Sequence, residues 1–414
     1  MRRRQFLGSA LAAGAAAYAT PARAQLYNVG NPSPKVILGD EVLLNSPWWR
    51  HLTSARIGII TNQTGVTSNG VSVVSAVRAK GLNVVALFSP EHGLHGDRPA
   101  GAFVASYVDA ATGLPVYSLY GPDRHPTDAM LVGIDVLLFD IQDVGSRSYT
   151  YISTMAFAMQ GAAAHGIEFW VLDRPNPVGG VAVEGPVLDP QYSSFVGLYP
   201  IAMRHGMTVG ELAQLFNQHF GIGAKLRVVT MGGWSRSMIW PFTGLPWIRT
   251  SPNIPTWETT FVYLCTGLTD SMGLNNGVGT GTPFFYAGAP NLDARAFAAR
   301  LGDDGRPGVA LEPATWTPDH GANAGRAFSG VRLNLVNPAE FAPVRTAVEL
   351  LAAARDVQPS IIAANNVHEI DIDWGTDAVR SQILAGKSAS EIADAWRPGV
   401  DAFVTLRERF LLYT

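Results

Sequence analysis

A carboxylate and two imidazoles crowd into the run Ser89-Pro90-Glu91-His92-Gly93-Leu94-His95-Gly96. It follows an apolar stretch, Val84 to Phe88, that reads as a short buried strand. Pro90 and Gly93 then turn the chain. In an open parallel α/β sheet, ligands bind in the crevice outside the carboxyl ends of the strands. Three other strand ends also carry polar groups. Asn62 follows the strand 56–61. Asp140, Gln142, Asp143 and Arg147 follow the strand 136–141, and Asp173, Arg174 and Asn176 follow the strand 169–172. Acids, amides and guanidinia gathered along one rim form the pattern of an active site. Each also has a structural reading: Glu91 can cap a following helix, and Asp140 and Asp143 can pair with Arg147.

The chemistry such a rim suits is that of carboxyl groups. Hydrolysis of a glycosidic bond needs one protonated carboxyl at the leaving oxygen. It also needs a second group to activate water, act as nucleophile or stabilise positive charge. Glu91 is the candidate general acid. Asp140 and Asp143 flank Gln142, and neighbouring acids tend to separate in pKa, so either can supply the second role. Other chemistries lack their motifs. There is no Gly-x-Gly-x-x-Gly after the first strand, no phosphate loop, no Gly-x-Ser-x-Gly and no His-Glu-x-x-His. His92, His95 and Asp97 lack a further strong ligand, so neither metal nor cofactor is expected.

The elements that hold this rim follow from periodicity. Strands at 56–61, 84–88, 116–119, 136–141, 169–172 and 226–229 alternate with helical patterns at 71–80, 150–165 and 207–220. Alternation of this kind predicts βαβ units and a parallel sheet. From about residue 252 the texture changes to Gly, Asn, Thr and Pro, followed by helices at 292–301, 341–354 and 389–410 and a strand at 331–336. The expected fold is α/β, a Rossmann-like, doubly wound, mainly parallel sheet with a second, smaller α+β domain. The expected division is a lead-in segment at 25–54, a catalytic domain at 55–260 and the smaller domain at 261–414.

The chain has 414 residues, of which 47% are hydrophobic and 15% charged, enough to build a sizeable core. A single cysteine, Cys265, excludes an internal disulfide framework. Residues 1–24 read as an export signal: Arg2-Arg3-Arg4-Gln5-Phe6-Leu7 has the twin-arginine pattern, an Ala/Gly-rich stretch follows, and Ala22-Arg23-Ala24 is a small-x-small cleavage site. A periplasmic address is expected. Loss of the leader's arginines moves the formal charge from −3 to −7. A chain so charged, without basic runs, is not expected to bind nucleic acid or to associate stably with a membrane after cleavage.

Several of these runs together resemble the exo-β-N-acetylmuramidase (NamZ-like) family. They are Ser89 to Gly96, Phe139 to Tyr151, Leu172 to Pro177, Val183 to Pro186, His205 to Thr208, Ser251 to Thr256, Trp374 to Arg380, and Arg409 to Tyr413. They cover nearly the whole chain after the leader, in order. The resemblance implies a Rossmann-like domain with a smaller C-terminal one and a site in the cleft between them. It also implies release of N-acetylmuramic acid from non-reducing ends of peptidoglycan fragments, with Glu91 as catalytic acid. Asn62, His92, Gln142, Arg147, Tyr149, Asp173, Arg174, Asn176, His205, Asn253 and Asn276 are then the expected sugar-binding groups. One motif departs. The family's Ser-Glu-Gly-Arg-Gly-Thr corresponds here to Asn275-Asn276-Gly277-Val278-Gly279-Thr280, so Asn276 stands at a glutamate position and Val278 at an arginine. The lactyl carboxylate of muramic acid then needs another guanidinium, for which Arg147, Arg174 and Arg204 are candidates. Two alternatives stay open: a glycan-binding protein that kept the cleft without turnover, and a metal-assisted hydrolase using His92 and His95.

Overall fold

The computed structural model describes residues 35–302, 306–362 and 366–414. The export-signal reading falls outside them. The first part of the chain contains α1 (Gly39–Asn45), β1 (Arg56–Thr61), α2 (Val73–Ala79), β2 (Asn83–Ser89), β3 (Tyr107–Val108), β4 (Pro115–Ser118) and α3 (Asp128–Leu131). It continues with β5 (Val136–Asp140), α4 (Tyr151–His165), β6 (Glu168–Leu172), β7 (Glu184–Val187), β8 (Ala202–Arg204), α5 (Val209–Gln218) and β9 (Lys225–Val229). Seven of these strands form one sheet in the order β3-β4-β2-β1-β5-β6-β9, parallel except where β3 meets β4.

The near-continuous apolar strands explain that arrangement, because a parallel sheet is covered on both faces. Leu137 and Phe139 of β5 join Phe169 and Val171 of β6 in the core beneath α4 and α5. Leu138, Trp170 and Leu172 point the other way, into a second core shared with α1 and α2. β1 sits between β2 and β5, so the chain order reverses there. That reversal opens a crevice at the carboxyl ends of β1 and β5. The lead-in segment contains α1, for which no helical pattern had been read. Gly39 explains how it docks: a side chain there would lie 2.3 Å from the Asp173 nitrogen. Only glycine lets this backbone reach the sheet end.

The second part contains α6 (Glu258–Thr266), β10 (Tyr286–Ala289), α7 (Ala294–Leu301), β11 (Val309–Trp316), β12 (Phe328–Leu335), α8 (Pro343–Val357), α9 (Val367–Trp374), α10 (Ala378–Leu384) and α11 (Ala389–Arg407). Its sheet is antiparallel, in the order β10-β12-β11. The sequence pattern reached β12 but not β10, a buried Tyr-Ala-Gly-Ala run without a large aliphatic side chain, or β11, whose exposed positions break up the apolar signal. The chain end returns to the first sheet. Tyr413 donates to Asp173 Oδ2 at 2.6 Å, and the Leu412 N–H donates to Glu211 Oε1 at 2.9 Å. Among the described residues, no helix is long and apolar enough to cross a membrane.

Candidate active site

β2 stops at Ser89, and the turn after it is tight. The Gly93 N–H donates to Pro90 O at 3.0 Å, and His92 takes φ 68°. The left-handed conformation costs a non-glycine residue on the order of 1 kcal/mol. The turn holds it with two bonds: the Arg98 N–H donates to His92 O, and His92 Nδ1 lies 2.8 Å from Arg98 O. A carbonyl can only accept, so Nδ1 carries the proton.

The same turn directs Glu91 inward, where it is 8% exposed. Its Oε1 accepts the Gly101 N–H at 2.8 Å, and its Oε2 accepts the Thr150 hydroxyl at 2.8 Å. The Tyr120 hydroxyl stands nearby. Burial, and then the Glu91 charge, push that phenol up to about 12. Two donors from two separate segments thus fix one carboxylate. Nothing cationic pairs with it among the described residues.

Around it lies a wall of phenols. The Tyr149 hydroxyl donates to Thr250 Oγ1 at 2.9 Å, and the Tyr151 hydroxyl to Thr250 O at 2.6 Å. Tyr263, from α6, reaches Ser148 Oγ at 3.2 Å. Burial raises the pKa of Tyr151 and of Tyr263, and the charges of Glu91 and Asp143 add to it in both cases. The two phenols therefore lie within the electrostatic reach of both carboxyl groups.

Asp143 is the second carboxyl. Its Oδ2 accepts the Gly145 N–H at 2.7 Å, while Oδ1 is buried without a partner. Burial pushes its pKa from 3.8 to about 7, against the backbone hydrogen bonds that lower it. His205 Nε2 stands 3.9 Å from Oδ2. His205 Nδ1 accepts the Met207 N–H at 3.1 Å, so the proton is on Nε2. Burial, then Arg407 and Arg236, hold that imidazole neutral, with its pKa lowered to about 3.

The raised value carries a stability consequence. A carboxyl whose folded pKa exceeds its unfolded one takes up a proton on folding, so its contribution is full in acid and fades as pH rises through the interval. Asp143 should weaken the fold as pH rises from about 4 to about 7. Asp143→Asn, a permanent mimic of the protonated form, should gain on wild type between pH 5 and pH 8 in denaturant midpoint. Parallel profiles for the two proteins would refute the raised value.

The rim separates into two populations. Glu91, Asp143, Tyr149 and His205 share one neighbourhood. At the crevice, Asn62 Oδ1 accepts from both the Thr64 N–H and its hydroxyl, leaving Nδ2 unpaired. Gln142 Nε2 donates to Asp143 O and Pro175 O, leaving Oε1 unpaired and buried. Asn253 lies half-buried in the wall beyond Thr250.

Others among the expected groups do structural work. Asp140 is not a reacting carboxyl: it is sealed against Arg174, Oδ1 to Nε at 2.5 Å and Oδ2 to Nη2 at 2.9 Å. Arg174 also reaches Asp40 and Val66 O. Asp173 accepts from Thr208, Gly210 and Tyr413, anchoring α5 and the chain end. Asn176 closes its own turn through Val178 and Met207. Arg147 donates to Pro186 O and Asp373 O, and Arg204 to Val178 O and Phe341 O. Asn276 Oδ1 is spent on the Val278 N–H. In each case a buried charge or amide has at least one partner within the fold, although the Nε of Arg147 and that of Arg204 have none.

Tyr120, Thr150, Tyr151 and Tyr263 had not been expected. Tyr120 follows the β4 strand end, where the strand-end pattern reaches. Thr150 and Tyr151 lie inside the run Phe139 to Tyr151. Tyr263 carries no local signal, since it arrives from a helix of the second part.

Among the described residues, no group of three His, Cys, Asp or Glu side chains could hold a metal ion. A small hollow of about 20 Å³ opens beside Thr64, Gln142, Arg174 and Trp240, but neither Glu91 nor Asp143 lines it.

Two carboxyl groups among phenols, at the carboxyl ends of a doubly wound sheet, are the equipment of a carboxylate-dependent hydrolase of Rossmann-like fold. The comparisons make the class specific. The N-terminal domain model of the exo-β-N-acetylmuramidase NamZ matches residues 57–258, and the C-terminal one residues 261–413. The chain belongs to this family of glycoside hydrolases. It is 43% identical over 381 residues to the peptidoglycan β-N-acetylmuramidase NamZ of Bacillus subtilis (strain 168), covering 92% of each chain. Two crystal structures of DUF1343 family proteins from Bacteroides fragilis NCTC 9343 share the fold. One has a TM-score of 0.85 and 36% identity, the other 0.72 and 30%; each comparison covers 92% of this chain and 99% of the other.

Proposed function

We propose that this protein is an exported exo-acting glycosidase that releases N-acetylmuramic acid from the non-reducing ends of peptidoglycan fragments. Glu91 is the general acid. Asp143 is the second carboxyl, oriented by Gly145 and backed by neutral His205. The observation that supports this most is the setting of Glu91: inward at the β2 end, gripped by Gly101 and Thr150, and within electrostatic reach of two phenols that also feel the Asp143 charge. The identity of 43% to a peptidoglycan β-N-acetylmuramidase supports the substrate class. The twin-arginine pattern supports a periplasmic address, where wall fragments are at hand.

The stretch 275–280 favours a second reading, a muropeptide-binding protein with weak or no turnover, because Asn276 and Val278 supply neither acid nor guanidinium. One experiment separates the two. The purified protein is incubated with a chromogenic N-acetylmuramide and with reduced muropeptides, and products are identified by mass spectrometry. Release of free N-acetylmuramic acid is the expected result. Saturable binding without release, even on prolonged incubation, would select the second reading.

A further inference from the structure

A muramic acid glycoside carries a lactyl carboxylate, and a site that selects it over an uncharged sugar needs a cation facing the cleft. Val278 cannot provide one, and the three arginines expected to substitute are consumed inside the fold. Arg147 and Arg204 hold main-chain carbonyls, and Arg174 holds two aspartates.

One exposed arginine close to Glu91 is differently placed. Arg124 lies on the loop after β4, four residues beyond Tyr120. Its guanidinium carbon sits 5.1 Å from the Tyr120 ring centre and 4.3 Å from that of Phe195. The two rings are 5.7 Å apart and tilted by 47°, so they form a shallow seat. Among the described residues, no carboxylate lies within ion-pair distance of Arg124, and no acceptor takes its N–H groups. Tyr120, the floor of this seat, lies near enough to Glu91 for that charge to raise its pKa. The aromatic seat, the cation and the carboxylate thus share one neighbourhood.

The physical consequences follow from guanidinium geometry. Stacking on aromatic faces uses the flat surfaces of the group and leaves its edge N–H donors free. A planar fork so held is pre-organised to take a carboxylate bidentately, with little rotamer entropy left to lose. Arg98, the other exposed arginine of the nearby turn, has no such seat. It lies 3.9 Å from Asp97, and the two side chains are 64% and 67% exposed.

We propose that Arg124, seated on Tyr120 and Phe195, is the specificity-determining residue that binds the substrate's carboxylate beside Glu91. The proposal rests on the muramic acid reading above and assigns a contact within it. Arg124 takes no part in bond breaking.

The test compares wild type, Arg124→Gln and Arg124→Lys on a chromogenic N-acetylmuramide and on the same compound with its lactyl group methyl-esterified. Wild type should prefer the free acid. Arg124→Gln should lose roughly tenfold to a hundredfold in kcat/KM on the acid, mostly through KM, the worth of a charge-assisted hydrogen bond. It should process the ester as wild type does. Arg124→Lys, which keeps the charge without the fork, should fall between them. A merely structural role would lower both substrates together. An Arg124→Gln variant that still prefers acid to ester as strongly as wild type overturns the proposal. If wild type cleaves neither compound, the glycosidase reading fails, and calorimetric titration with free N-acetylmuramic acid then decides the Arg124 contact. Binding by wild type that is lost in Arg124→Gln supports it; equal binding by both, or binding by neither, overturns it.

Discussion

Glu91→Gln lowers kcat/KM on an N-acetylmuramide by roughly a thousandfold, within the range of about 10² to 10⁴ that a positioned general acid contributes. The substitution keeps length and shape and removes only the ability to hold and deliver a proton. The local hydrogen bonds will register it too. Two donors, from Gly101 and Thr150, each take one carboxylate oxygen. An amide supplies one acceptor oxygen and one NH₂, so the Thr150 hydroxyl must rotate to accept rather than donate. A hydroxyl can do that, whereas the Gly101 N–H cannot. The variant should therefore fold with Oε1 facing Gly101 and bind sugar with affinity within a few fold of wild type. Thermal unfolding and calorimetric titration check the fold and the binding, and steady-state kinetics check the loss. Activity within tenfold of wild type would remove Glu91 from the acid role, whatever its position in the turn.

The second large effect concerns stability. Arg174→Met should cost about 3–5 kcal/mol, the loss expected when one partner of a buried ion pair is removed and the other charge stays behind. Here two charges are left. Asp140 loses both of its bonds to the guanidinium and Asp40 loses its contact at 3.3 Å. Both acids are already raised by burial, Asp40 to about 7, and the guanidinium is what holds them down. Without it each rises further, so the folded state must take up protons that the unfolded chain at neutral pH does not hold. The cost is then greatest above pH 7 and shrinks in acid, where both states carry the protons. Denaturant midpoints at pH 5 and pH 8 check this. A variant as stable as wild type at pH 8 would mean the triad is not buried as described. Because Arg174 also donates to Val66 O and α1 lies over the same sheet end, hydrogen exchange should rise first in α1.

The two experiments bear on residues that the amino-acid sequence presents as alike. Glu91, Asp140, Asp143 and Asp173 all stand at or just beyond the end of an apolar strand. That much followed from local pattern: continuous apolar runs make buried parallel strands, and Pro90 and Gly93 end one of them at the acid. The alternation of strand and helix likewise implied the doubly wound sheet and its functional rim. The motifs from Ser89 to Tyr413 carried the family resemblance, and the family models match accordingly. Where the pattern weakened, as in the short Gly/Ala-rich β10 and the half-exposed β11, the reading stopped short.

Which acid faces a ligand and which faces an arginine was beyond local pattern. Asp140 and Arg174 are 34 residues apart, and Asp40, which completes their triad, is 134 from Arg174. Arg147 finds an acceptor at Asp373, 226 residues away. The Tyr263 phenol comes from a helix outside the first sheet. A buried charge must be paired, and the pairing is chosen among all groups that folding brings within a few ångströms, not among sequence neighbours. Sequence alone therefore determined the strands, the rim and the candidates on it. Only the tertiary structure decided that Asp140 is neutralised in the interior while Glu91 and Asp143 are left beside the phenols, because that outcome depends on where the distant cations come to rest.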